Sequence, residues 1–263
     1  MKKRKTLYYY LLYIIAKIRY RNTKIEYKEE IKEPSIFVVN HARIDGPTMM
    51  YLYFKRPAYF WVIHCALDEK LALNYAYHDV LLGDIRRHKG FYNFLAKRIA
   101  KSLPKLMKNS ANCIPVYHDY RIKDTLNETI KALMNGYNAV IFAESPIDYS
   151  KYIANLQTGF VSIGNLYYRK TLKNIKFYPV YVSQKRKRIL IGKPIEYNNE
   201  NNLKEERNII NDYLVKNITD LALSLKKHKP ITFLPSKWYL AYGKYANDVA
   251  SYWKMIESGK REK

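Results

Sequence analysis

The chain has 263 residues, with 47 Lys and Arg against 23 Asp and Glu, a formal net charge of +24. Its 48% hydrophobic and 27% charged content is globular and excludes intrinsic disorder, and two cysteines in a chain this long exclude a disulfide-built secreted scaffold. So large a positive excess attracts polyanions: nucleic acid, an anionic membrane face or phosphate-bearing ligands.

Lys2, Lys3, Arg4 and Lys5 open the chain and are followed by a ten-residue run, 7–16, of apolar and tyrosine residues. A bilayer crossing takes roughly 20 residues. Lys17, Arg19 and Arg21 come next, where a signal peptide would carry a small-residue cleavage site. Leu7, Leu11, Ile14, Ile15 and Ile18 fall at helical spacing, so residues 1–30 are predicted to hold a basic amphipathic helix and its lead-in. Such a helix suits the headgroup layer of an anionic membrane. The alternative is a helix packed on its own domain.

No repeat, low-complexity stretch or Pro/Gly/Ser-rich linker divides the remainder, which reads as one domain, 31–263. Short apolar runs predict buried strands over 35–39, 59–64, 113–117, 139–143, 177–182 and 188–191. Helices are expected between some of them. One spans 91–107, kinked near Pro104, and one carries the stripe Ile122, Leu126, Ile130, Leu133 and Met134 with Gly136 as its C-cap. A long helix spans 203–225, and a closing helical segment 238–256. Alternating strands and helices predict an α/β fold, a largely parallel central sheet flanked by helices.

Two places carry chemistry. The first is Asn40-His41-Ala42-Arg43-Ile44-Asp45-Gly46-Pro47, where a buried strand ends in Asn and His and an Asp follows within a turn. Ligands meet such sheets at the carboxyl ends of their strands. A neutral imidazole there takes a proton from a hydroxyl, and a carboxylate on its other nitrogen fixes the tautomer. Asp45 as a helix cap is the plainer alternative. The second is Val140-Ile141-Phe142-Ala143-Glu144, a strand running into a carboxylate. His64 reads as a core histidine, and Lys185 to Arg188 as a hairpin or a phosphate contact. Cys65 and Cys113 stand apart in His-poor surroundings, which excludes a C-x-x-C zinc site.

Taken in order, Asn40-His41…Asp45, Cys113-Ile114-Pro115-Val116, Val140-Ile141-Phe142-Ala143-Glu144, Phe177-Tyr178-Pro179-Val180 and Gly192-Lys193-Pro194-Ile195 resemble the glycerolipid acyltransferase superfamily, best known for its lysophosphatidate acyltransferases. The resemblance covers roughly residues 35 to 197. It implies a membrane-surface O-acyltransferase that moves a fatty acyl group from acyl-CoA or acyl carrier protein, as co-substrate, to a lipid-like hydroxyl. His41 would be the general base and Asp45 its partner, with no acyl-enzyme, no other cofactor and no metal. Glu144 matches the carboxylate of the third block and, with Arg43, His118 and Arg121, would bind substrate.

The chain departs from the pattern in three ways. His41 and Asp45 have three residues between them where the family has four. His118 stands where the family's second block has Arg. Ser145-Pro146-Ile147 replaces the Gly-Thr-Arg of the third, so both bidentate phosphate donors are absent. The implied location is the cytoplasmic face of a membrane, peripheral or monotopic. An inactive lipid- or acyl-binding relative is the first alternative. A nucleic-acid binder is the second, disfavoured because the charge is spread along the chain and no nucleic-acid motif is present.

Overall fold

Runs such as Ile36-Phe37-Val38-Val39 have no polar alternation, so their strands must be covered on both faces. The computed structural model describes residues 7–110, 112–145, 150–233 and 256–257 and shows how they are covered. Lys2 to Lys5, residues 238–255, and Pro146 and Ile147 lie outside the described residues.

Eight strands form one sheet in the order β1-β7-β6-β2-β5-β3-β4, with β8 (Ile195–Glu196) beside β6. β6 (Lys176–Ser183), β2 (Ile36–Val39), β5 (Asn138–Ile141), β3 (Ala58–Ile63) and β4 (Cys113–Val116) run parallel to their neighbours within this block. β7 (Arg188–Ile191) is antiparallel to β6, and β1 (Lys24–Tyr27) pairs with it in parallel. The largely parallel α/β sheet is therefore as expected. The hairpin at Lys185 to Lys187 joins β6 to β7. β1 and β8 are additions at sheet edges, too short and too polar to stand out in the sequence.

The pleat sorts the core into two layers. Ile36 and Val38 point to one face, where Ile130 and Leu133 of α5 (Ile122–Met134), Ile163 of α6 (Ser162–Thr171) and Ile210, Leu214 and Ile218 of α7 (Leu203–Ser224) cover them. Phe37 and Val39 point to the other, under Met49 and Met50 of α2 (Asp45–Tyr53) and beside Tyr20, which follows α1 (Leu7–Arg19). Gly136 ends α5 at φ 82°, the left-handed turn expected of its C-cap. α3 (Ala72–Asn74) continues as a π turn over Tyr75–Val80. α4 (Lys89–Ser110) runs through Pro104 without a break in the helix.

α1 docks with its tyrosine face inward. Tyr9 is buried, its hydroxyl 2.8 Å from that of Tyr51, and Tyr13 and Ala16 lie on the core. Leu11, Ile14, Ile15 and Ile18 are more than half exposed. The predicted aliphatic stripe is real, and it faces away from the protein. No described helix is long and apolar enough to cross a membrane.

Candidate active site

Five parallel strands end on one edge of the sheet, and four of them hand a polar side chain to it. β2 leads into Asn40 and His41, β5 toward Glu144, β3 into His64 and β4 toward His118. Asn40 fixes where β2 stops. Its side chain copies a peptide group: Oδ1 accepts from the Val182 N–H at 2.6 Å and Nδ2 donates to the Val182 carbonyl at 3.2 Å. The β2–β6 ladder is thus extended by one side chain, and the backbone is released to turn at His41.

The turn is tight. Ala42 and Arg43 both take left-handed backbone, φ 43° and 56°, costing on the order of 1 kcal/mol or more each. Gly46 closes the loop. A Cβ there would lie 2.3 Å from the His41 carbonyl oxygen and 2.8 Å from that of Asn40, so any side chain would push the loop away. With only three residues between His41 and Asp45, the chain reaches α2 by this compressed path.

The His41 ring is held from its own loop. Nδ1 lies 2.6 Å from the Arg43 carbonyl oxygen. A carbonyl only accepts, so Nδ1 carries the hydrogen and Nε2 keeps a lone pair. The ring sits between Phe142 and Phe233, at centroid distances of 5.4 and 4.7 Å. Burial among these groups lowers its pKa to about 4, against the opposing pull of the Arg43 carbonyl. His41 is therefore neutral at pH 7, with its unprotonated nitrogen available.

Asp45 does not brace it. The Asp45 carboxylate, 5% exposed at the start of α2, accepts from Arg19 Nη2 at 3.0 Å and from the Tyr20 hydroxyl. Burial and the bonded carboxylate together push the Tyr20 phenol above its ordinary value, so it stays a donor. The expected His41–Asp45 hydrogen bond is replaced by two others: ring to Arg43 carbonyl, and carboxylate to α1 and Tyr20. Asp45 lies on the face of the loop that α1 covers.

The carboxylate that meets His41 is Glu144, through the backbone. Its Oε1 accepts from the His41 N–H and its Oε2 from the Ala154 N–H at 2.9 Å. The Ser145 N–H donates to the Asn155 carbonyl and the Gln157 N–H to that of Ala143, so two segments are clamped around it. Glu144 is buried, and burial raises its pKa to about 7 despite the two amide donors. It holds the loop that carries the base.

No protein-family model matches the chain, and no curated protein matches it. Among solved structures, the chain is similar to the 1-acyl-sn-glycerophosphate (LPA) acyltransferase PlsC from Thermotoga maritima. Identity is 12%, the match covers 83% of this chain and 81% of that one, and the TM-score is 0.46.

The remaining sequence-selected residues divide between two places. Arg43 is exposed beside His41 and contributes its carbonyl to the ring. Arg121 grips Asp119, with Nη2–Oδ2 at 2.6 Å, and lies 4.3 Å over the Tyr117 ring. His118 is pushed down to about 4 by burial and by neighbouring His64. Arg121, Tyr117 and His64 line a cavity of about 470 Å³ at the β3–β4 end of the edge. The structure thus assembles His41, Arg43, Asp45 and Glu144 around one loop, and sets Arg121 and His118 with His64. Phe142, Phe233, Tyr20 and Asn40 were missed as site-builders. Only Asn40, a polar residue ending a fully apolar run, carried a readable signal.

Proposed function

We propose that the protein is an O-acyltransferase working at an anionic membrane surface, with His41 as general base. The observation that carries the reading is the neutral His41 ring at the end of β2, its Nδ1–H pinned to a carbonyl and Nε2 left as the acceptor of a proton. The hydroxyl oxygen of a lipid-like acceptor attacks the carbonyl carbon of an acyl-CoA or acyl carrier protein thioester while Nε2 takes the hydroxyl proton. The tetrahedral intermediate then expels the thiolate, and the imidazolium returns the proton to it. An ester and a free thiol result, and His41 is neutral again.

The membrane part of the reading is supported by α1. Its exposed row of Leu11, Ile14, Ile15 and Ile18 is bordered by Lys17, Arg19 and Arg21, apolar enough to enter the headgroup boundary and basic enough to favour anionic lipid. Replacing the four aliphatic residues by Ser should weaken binding to anionic vesicles by about tenfold or more and leave the melting temperature nearly unchanged.

A second reading, an inactive lipid- or acyl-binding relative, is favoured by one observation: Asp45 serves Arg19 and Tyr20, so among the described residues no carboxylate bonds the His41 ring to steady its cation. Transfer from a labelled thioester to lipid acceptors separates the two. Activity in the wild-type chain that falls by a factor of about 100 or more in His41→Ala supports the enzyme. Acyl-thioester binding without turnover in either protein supports the inactive relative.

A further inference from the structure

The turn after β3 gathers three metal-binding side chains that acyl transfer does not use. His64 and Cys65 form it, and Glu257 reaches them from the other end of the chain. We propose that His64 Nε2, Cys65 Sγ and a Glu257 carboxylate oxygen bind a divalent transition-metal ion of the zinc type, with a fourth position left for solvent or a ligand.

The distances fit. Zinc bonds of about 2.3 Å to sulfur and about 2.0–2.1 Å to nitrogen and oxygen, at a tetrahedral angle, place S and N about 3.6 Å apart and N and O about 3.3 Å apart. The observed Cys65 Sγ to His64 Nε2 separation is 3.7 Å, and His64 Nε2 to Glu257 Oε1 is 3.4 Å. All three ligand atoms lie within 4.8 Å of one another. The imidazole is already aimed. His64 Nδ1 lies 3.2 Å from the Val116 carbonyl oxygen, which holds the hydrogen there and leaves Nε2 as the ligand atom, and the Tyr117 ring packs at a tilt 4.9 Å away. The carboxylate is delivered by structure too. Ile256 is buried against Cys65 and Leu82, and Asn74 Nδ2 donates to the Glu257 carbonyl at 3.3 Å.

The local charge suits a cation although the whole chain carries +24. Asp68, Asp79 and Glu257 all bring negative charge to Cys65. On binding, the thiol proton leaves to solvent and the thiolate neutralises part of the ion's charge. One thiolate, one imidazole and one carboxylate select zinc, cobalt and their neighbours over magnesium or calcium. Cys65 is 0% and His64 6% exposed, whereas the Glu257 side chain is 34% exposed, and His64 also lines the 470 Å³ cavity. The site would pin the segment bearing Glu257 to the end of β3.

Titration of the full-length reduced protein with Co²⁺ tests this. One equivalent should bind, with thiolate-to-cobalt charge-transfer absorption and the visible bands of tetrahedral cobalt, and Zn²⁺ should displace it. Cys65→Ser should abolish the charge-transfer band and weaken binding about tenfold or more, Glu257→Gln should weaken binding with the band retained, and Cys113→Ser should change nothing. Zn²⁺ should raise the melting temperature of the wild type more than that of Glu257→Gln, which decides the matter if Cys65→Ser fails to fold. A plain His64–Glu257 ion pair beside a buried thiol predicts no saturable binding, and that result overturns the proposal. So does a charge-transfer band that survives in Cys65→Ser, or affinity unchanged in Glu257→Gln.

Discussion

At the scale of single residues, the candidate site runs on one inversion of the usual carboxylate and imidazole order. Burial lowers His41 to about 4 and raises Glu144 to about 7, so near neutrality the histidine is uncharged and the glutamate stands near half-titration. A general base works only unprotonated. If His41 is that base, kcat/KM for acyl transfer should stay level down to about pH 5 and fall as pH drops through about 4, well below the limb of an ordinary histidine near 6.5. A limb at 6 to 7 would show that another group limits the reaction. Gly46→Ala should cut activity severely and cost about 2–4 kcal/mol in chemical denaturation, because the added carbon meets two carbonyl oxygens of the His41 loop. Tyr20→Phe removes a donor from buried Asp45 and should cost about 1–3 kcal/mol, with Arg19 left as its remaining partner.

At the scale of elements, side chains that imitate backbone define where strands end. Asn40 joins β2 to β6 at the site edge, and at the opposite edge Asn138 accepts from the Ser35 N–H at 3.1 Å and donates to the Pro57 carbonyl at 2.8 Å. Asn40→Ala would strand the Val182 N–H and carbonyl in a dry environment. A loss of about 2–4 kcal/mol in denaturant midpoint analysis is expected, together with displacement of His41. α4 offers the opposite case. Pro104 sits inside a 22-residue helix that continues through it, so Pro104→Ala restores a donor and should raise stability by about 1–3 kcal/mol, read as an increased melting temperature.

Across the whole molecule, the buried and half-buried titratable groups act in opposite senses on stability. His41 and His118 have folded pKa values near 4 against 6.5 unfolded, so the unfolded chain binds more protons and stability is lost as pH falls from about 6.5 toward 4. Glu144, raised from 4.5 to about 7, is the reverse: its contribution is full below about 4.5 and is lost as pH rises through 7. The windows overlap, and in the overlap two histidines outweigh one glutamate, so the melting temperature should peak near pH 6.5. His41→Phe should flatten the acid side and Glu144→Gln the neutral side, each checked by thermal scans from pH 4 to 8.

Much of this was written in the one-dimensional pattern. Unbroken apolar runs such as Ile36 to Val39 require a sheet covered on both faces, and periodic stripes such as Ile122 to Met134 require helices, because burial of each surface is a local property of residue type. The sequence alone therefore determined the α/β sheet, the place of His41 and Glu144 at strand ends and the aliphatic row on α1. Which groups then met was settled by tertiary structure. Asp45 went to Arg19 and Tyr20, Glu144 to the amide of His41, and the adjacent pair His64-Cys65 to a glutamate 192 residues beyond Cys65. Such pairings depend on loop conformation and on elements distant in sequence converging at one sheet edge. Hydrogen-bond reach is about 3 Å, and residue spacing along the chain does not encode distances that short.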